Sequence, residues 1–396
     1  MAKVLLITGI IGNVGVLVFY KYLGFISEII GKELSFKPNS MMVGVSFTVF
    51  AMISYLVDVY QKKVTVPRNP AVFMCYSTMF SKVVSGPIVR YSDCFPDFKT
   101  HFVTSTDIGY GAKKCMEGYI KKALIADNLY LLINELNSIA HVHRNATVVS
   151  LWIGSIAFSL QLYFDFSGYS DMAIGLARML GFHFKENFNH PYICKGFTDF
   201  WRRWHISLSE WFRDYIYIPL GGSRKSTMRN ILNLLIVWLL TGIRHGAGFS
   251  FIFWGLVFFI MLLFERYVIR VKQLKTIPAL LWRILTLVVI NFNWVIFSHG
   301  TLKEGVRYCL GMIGYYGNDF IAKTDIRLVR EYGVFLFLGV FFSMPISYFI
   351  QKKSENKTMI GTIISIVTPI VYGIMFLWAV SFAILGYHNP FMYQQF

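Results

Sequence analysis

Long apolar runs separated by short polar loops constrain this chain more than any other feature. They cover residues 4–30, 41–60, 148–180, 231–264, 280–297, 332–350 and 359–385. Crossing a bilayer takes about 20 apolar residues in a helix, so each run approaches or exceeds one crossing. Several leave room for a re-entrant piece. Inside lipid every backbone N–H and C=O must be paired within its own helix or within a closed barrel. Barrel strands would alternate over segments of about 10 residues; these runs are continuous, which leaves helices. The expectation is an all-α integral membrane protein, a polytopic helical bundle of about 9–11 transmembrane helices with re-entrant or interfacial helices added. No polar stretch is long enough for a separate soluble domain and no short-period repeat is visible. Residues 1–396 therefore read as one integral membrane domain.

Charged residues make up 15% of the chain, against roughly 25% in a soluble protein. The net charge of +17 raises the question of nucleic acid, but its distribution excludes that class. The cations sit in short loops and at run ends, among them Lys62, Lys63, Lys121, Lys122, Arg224, Lys225, Arg266 and Arg270. Short basic loops mark the cytoplasmic side of multi-pass proteins, whereas a nucleic-acid surface gathers its cations on one face. The five cysteines show no C-x-x-C spacing and predict neither a disulfide framework nor a zinc site. His141 and His143 form a lone His-x-His in a polar connection, a weak metal signal. Residues 4–30 lack a short apolar core with a small-residue cleavage site, so they read as a span rather than a signal peptide.

Residues 199–223 are the exception to the apolar rule. They contain Trp201, Trp204 and Trp211, Arg202, Arg203 and Arg213, His205, and the carboxylates Asp199, Glu210 and Asp214. On a helical wheel at about 100° per residue, the tryptophans, Leu208, Phe212 and Tyr215 fall on one stripe. Arg202, His205, Ser209 and Arg213 fall on the next. The predicted helix, capped by Asp199 and ended at Pro219-Leu220-Gly221-Gly222, would lay its tryptophans at the membrane interface. Its second stripe would either stay solvated or face an anionic ligand. His245 sits in another apolar run with Arg244 beside it and Gly242, Gly246, Ala247 and Gly248 around it. An ionisable pair at membrane depth is costly and marks a functional-site hypothesis; a histidine bonded across helices is the plainer alternative. Asp165 and Asp171 interrupt residues 148–180 on different helix faces, so they predict structural pairing, with arginines, rather than a paired acid and base. Glu265 and Asp58, at run ends, read as ordinary boundary charges. Residues 111–136 look amphipathic and predict an interfacial or cavity-lining segment.

Taken together, these motifs resemble the membrane-bound O-acyltransferase (MBOAT) family, and within it the bacterial branch of alginate O-acetyltransferase membrane subunits. The resemblance runs in order through residues 44–50, 53–60, 84–91, 163–175 and 187–192, the 199–223 block, residues 242–247 and the tail at 389–393. The departures are Arg244 where the branch has Trp, Ser298 where it has an arginine after Trp294-Val295-Ile296-Phe297, Gln394-Gln395 in place of an aromatic–Arg pair, and a late start. The family implies acetyl transfer from cytoplasmic acetyl-CoA, with no permanently bound cofactor, to a hydroxyl for O-acetylation of an extracytoplasmic polysaccharide. It implies His245 as the base, His205 as the residue positioning or polarising the thioester, and Arg202, Arg203, Arg213 and Ser209 as contacts to coenzyme A. Arg244 would hold a phosphate or the developing oxyanion. It further implies a multi-pass protein of the bacterial plasma (inner) membrane, with an extracytoplasmic SGNH-type acetyltransferase and a surface polysaccharide as partners. D-alanyl transfer to teichoic acid, done by a sister branch, and a transporter with a proton-relaying histidine are the competing readings. No two-fold repeat of broken helices supports the transporter.

Overall fold

The computed structural model describes residues 1–31, 44–80, 86–139, 146–246, 248–346, 349–350, 359–386 and 391. His141, His143, Val84, Ser85, Ala247 and most of the 389–393 tail lie outside these. The described chain is helical, in the order α1 (Ala2–Leu17), α2 (Leu23–Ile30), α3 (Val45–Tyr60), α4 (Pro70–Thr78), α5 (Tyr91–Lys99), α6 (Ser105–Tyr119), α7 (Asp127–Ile139), α8 (Val148–Met179), α9 (Phe197–Trp201), α10 (Ile206–Phe212), α11 (Thr227–His245), α12 (Phe249–Phe264), α13 (Thr276–Ser298), α14 (Leu302–Met312), α15 (Lys323–Ser343) and α16 (Met359–Ile384). Five stretches among the described residues are long and apolar enough to cross a membrane: Ala2–Ser27, Val148–Met179, Phe249–Ile269, Thr276–Ser298 and Gly361–Ile384. Val45–Tyr60 is apolar but shorter.

The centre of the bundle is α8. Its 32 residues extend about 48 Å at 1.5 Å per residue, and its apolar window is 72% buried, against 0% and 6% for the first and last spans. The terminal helices therefore turn their apolar sides outward, as lipid-facing helices do, while α8 is packed on by α6, α7, α13, α14 and α15. Glycine sets the closest of these crossings. A Cβ on Gly111 would collide with the Gly175 carbonyl, one on Gly118 with the Gly168 carbonyl, and the reverse holds for Gly168 and Gly175. Both pairs are spaced seven residues apart, so the two backbones touch twice on one face. Lipid supplies no hydrophobic drive between helices, and close backbone approach through small residues takes its place.

Around that seam the charges turn inward. Asp171 is held by Lys114 at 3.1 Å and by Lys121, and Asp165 by Lys122 at 2.9 Å, with Asp127 on the same ammonium. The aspartates pair as predicted in kind, but with lysines, not arginines. Lys121 and Lys122 come from a π-helical turn, Ile120–Ala126, that joins α6 to α7. Because that turn and α6 pack on α8, residues 111–136 form part of the core rather than an interfacial strip.

The two supposed boundary carboxylates are also buried. Asp58 accepts hydrogen bonds from the Tyr215 hydroxyl at 2.8 Å and from Ser92 at 3.3 Å. Glu265 accepts the Phe197 and Thr198 backbone N–H groups, at 2.5 and 3.0 Å, and the Trp282 indole N–H at 3.3 Å. A carboxylate at a helix N-terminus pairs donors that the helix itself leaves free. Glu265→Ala is thus expected to cost about 3 kcal/mol, read as a lower thermal midpoint of the detergent-purified protein. An unchanged midpoint would show that Glu265 does not anchor α9.

Candidate active site

The 199–223 block is not one helix. Gly196, Phe197 and Thr198 start α9 at the Glu265 carboxylate, and α9 ends after Trp201. His205 then adopts φ 44°, ψ 56°, a left-handed conformation that restarts the chain as α10. A non-glycine residue seldom takes positive φ, although histidine is among the types that do so more often. The break rotates the two halves of the block relative to a continuous wheel. Trp201, Trp204 and Trp211 all enter the core, at 9%, 1% and 3% exposure, instead of lying at the headgroups. Asp199 falls inside α9, where it accepts the Lys195 N–H at 3.0 Å and pairs with Arg203 at 3.0 Å.

The break also places His205. Its ring lies edge-on to Phe166, with centroids 4.7 Å apart, and parallel to Phe188 at 6.5 Å. Its Nδ1 meets Asn187 Oδ1 at 3.1 Å. Asn187 is fixed in turn by Ser207, whose N–H and hydroxyl both donate to Oδ1, and by its own donation to Ser170. The Asn187 carbonyl accepts from Ile206, so two short segments are stitched together around the imidazole.

His245 arrives from the other direction, in the last turn of α11. Cations are favoured there by the helix dipole, and Lys21 and Tyr22 complete the end. Lys21 donates to the Arg244 carbonyl and Tyr22 to the Ile243 carbonyl, the latter at 2.8 Å. The His245 ring packs edge-on against Trp254 at 5.0 Å and Phe297 at 5.3 Å. Arg244 turns back over Phe47 and Phe50, with its guanidinium carbon 5.1 and 5.4 Å from their centroids. Phe47 also borders His205, at 6.4 Å between centroids, so it stands between the two motifs. His205 lies outside the spanning helices. Burial first, and then the Arg244 guanidinium and His245, hold its imidazole well below its ordinary value. It is neutral near neutral pH.

Buried polar atoms with no hydrogen-bond partner among the described residues gather here: His205 Nε2, the indole nitrogens of Trp201, Trp254 and Trp294, and Ser250 Oγ. Trp254 links the three indoles to His245, lying 5.7 Å from Trp201, 5.8 Å from Trp294 and 5.0 Å from His245 between centroids. Such unpartnered buried groups are rare in folded proteins.

The remaining sequence candidates lie differently. Arg203 is occupied by Asp199, Arg213 by Asp214 at 2.7 Å, and the Ser209 hydroxyl donates to the Trp201 carbonyl at 3.1 Å. Arg202 is exposed. These side chains do not join the histidine pair in one cationic wall. Asn187, Phe47, Lys21 and Tyr22 were not singled out from the sequence, although Asn187 and Phe47 lie inside the motifs quoted above. Among the described residues no group of three or more His, Cys, Asp or Glu side chains is placed to hold a metal ion. The nearby Cys194 thiol is pushed up to about 12, by burial and then by Asp199, which removes it as a nucleophile near neutral pH.

Two imidazoles thus stand buried against aromatic rings in a many-helix chain with spans long enough to cross a membrane. The profile of the membrane-bound O-acyltransferase family matches residues 32–303. The chain is 36% identical to the probable alginate O-acetylase AlgI of Pseudomonas aeruginosa over 370 residues, 89% of this chain and 70% of that protein. It is 34% identical to the peptidoglycan O-acetyltransferase of Helicobacter pylori over 347 residues, covering 79% and 65%. Against the teichoic acid D-alanyltransferase of Bacillus subtilis the identity is 29% over 281 residues, covering 66% and 69%. The matches with these three relatives cover between 65% and 70% of their lengths. The chain belongs to the membrane-bound O-acyltransferase family, and it is a multi-pass membrane enzyme of that kind.

Proposed function

We propose that the protein transfers an acetyl group from cytoplasmic acetyl-CoA to a hydroxyl, for O-acetylation of an extracytoplasmic polysaccharide at the bacterial plasma membrane. The observation that carries this reading is the approach of the two histidine motifs through Phe47, which borders the His205 ring and lies under the guanidinium of Arg244 next to His245, with unsatisfied polar atoms on His205 and around Trp254. A hydroxyl is a weak nucleophile near neutral pH, so a base must remove its proton as the oxygen attacks the thioester carbonyl. His245 takes that proton. The carbonyl oxygen becomes an oxyanion, which the nearby Arg244 charge stabilises. Collapse of the tetrahedral adduct breaks the C–S bond, and the proton on His245 returns to the departing thiolate, leaving an ester and free coenzyme A. His205 positions the thioester for this sequence.

Acetyl-CoA is the donor in this reading, and the acceptor chemistry follows relatives named as a probable alginate O-acetylase and a peptidoglycan O-acetyltransferase. An extracytoplasmic SGNH-type acetyltransferase is the partner that would complete delivery to the polymer. Purified protein in proteoliposomes, given labelled acetyl-CoA outside, is expected to release coenzyme A and pass label to an added hydroxyl acceptor. Use of an acylated carrier protein with no use of acetyl-CoA would replace this reading with D-alanyl-type transfer.

A further inference from the structure

We infer that Asn187 is a positioning residue that locks His205 as the Nδ1–H tautomer and presents Nε2 to bound substrate as a hydrogen-bond acceptor. The naming of the substrate rests on the function proposed above; the tautomer does not. The Ser207 backbone N–H can only donate, so the Asn187 atom 3.2 Å from it is the carbonyl oxygen. The other side of the amide donates to Ser170 at 3.1 Å, which fixes the same orientation. That oxygen is also the atom 3.1 Å from His205 Nδ1. An amide oxygen accepts, so Nδ1 must carry the hydrogen. A neutral imidazole has one N–H, and Nε2 is left as a bare lone pair.

Nε2 is buried and has no hydrogen-bond partner among the described residues. Phe166 against the ring edge and Phe188 parallel to its face hold the imidazole plane, so the lone pair has one direction. Polarising a thioester carbonyl requires a donor, which this tautomer lacks at Nε2. The ring instead receives a hydrogen bond from an O–H or N–H of the substrate and positions it by accepting. The charged and titratable groups that face it are Arg244 and His245 at the end of α11; its other neighbours are Asn187, Ser207 and the rings of Phe47, Phe166 and Phe188.

The test uses full-length protein with ¹⁵N-labelled histidine in lipid vesicles, read by solid-state NMR, with His205→Gln assigning the signal. Wild type should show Nδ1 protonated and Nε2 not; a protonated Nε2 overturns the inference. Asn187→Leu should release the tautomer, and an unchanged ring spectrum there would count equally against it. Asn187→Asp keeps the oxygen that Ser207 and His205 need, so it serves if the leucine variant does not fold. Its carboxylate should raise the His205 pKa by about one unit. The protonation midpoint of the His205 ring, followed in the same ¹⁵N signals as pH is lowered, then moves to higher pH by that amount. A midpoint that stays in place removes Asn187 from the role. The NMR result needs no turnover: if wild type transfers no acetyl group, the proposed function fails while the tautomer stands or falls on its own spectrum.

Discussion

Replacing His245 by alanine is expected to reduce acetyl transfer by about 10²–10⁴-fold, the range for loss of a general base. The imidazole sits at the end of α11, which Lys21 and Tyr22 hold through backbone carbonyls rather than through the histidine ring. The backbone there should survive the change. The side chain does fill space against Trp254 and Phe297, so His245→Gln is the companion variant, close in volume but unable to take a proton near neutral pH. Both should elute as folded monodisperse protein and both should lose transfer. A glutamine variant with wild-type kcat would show that the ring packs but takes no part in the chemical step.

The largest effect on stability is expected at the glycine seam. Gly118→Val puts a branched Cβ where the Gly168 carbonyl, the Met172 N–H and the Met172 side chain already sit. Two of those atoms are backbone of α8, which is buried on several sides and cannot retreat. The cost should be about 3 kcal/mol or more, at or beyond the usual overpacking range, with loss of the monodisperse peak in fluorescence-detected chromatography. Gly109 in the same helix faces open space. Gly109→Ala should therefore be neutral or mildly stabilising, by about 0.5–1 kcal/mol from helix propensity. Equal behaviour of the two variants would mean that the close approach of α6 to α8 does not hold the fold.

Much of the architecture was legible in the chain because membrane helices announce themselves by length and apolarity, and the family motifs carried His205 and His245. What periodicity could not show was the break at His205. A wheel assumes that each residue adds the same rotation, and one left-handed residue cancels that assumption for everything downstream. Trp211, beyond the break, belongs to the core and not to a lipid interface, and so do Trp201 and Trp204 before it, because an aromatic stripe does not by itself say what covers it. The lysine partners of Asp165 and Asp171 were hidden for another reason: they come from α6 and from the π-helical turn that follows it, and no local spacing encodes that meeting. Glu265 and Asp58 show the same limit, since a charge at the end of an apolar run looks solvated until the element that covers it is in place. Asn187 carried no signal of its own as a residue type; only its distances to Ser207, Ser170 and His205 give it a part.

The left-handed backbone at position 205 narrows what that position can become. Asparagine, aspartate, histidine and glycine are the residues that occupy such a conformation with least strain. Of these, glycine carries no side-chain acceptor, asparagine and aspartate offer only a shorter side chain ending in oxygen, and aspartate would be charged near neutral pH. A mutational path that keeps the turn between α9 and α10 and also keeps a neutral ring nitrogen as acceptor has only one residue to pass through. Drift at this site is then blocked twice, once by the shape of the chain and once by its chemistry. A saturation library at 205 should separate the two, with asparagine and glycine variants folded but altered in turnover and β-branched variants absent from the membrane.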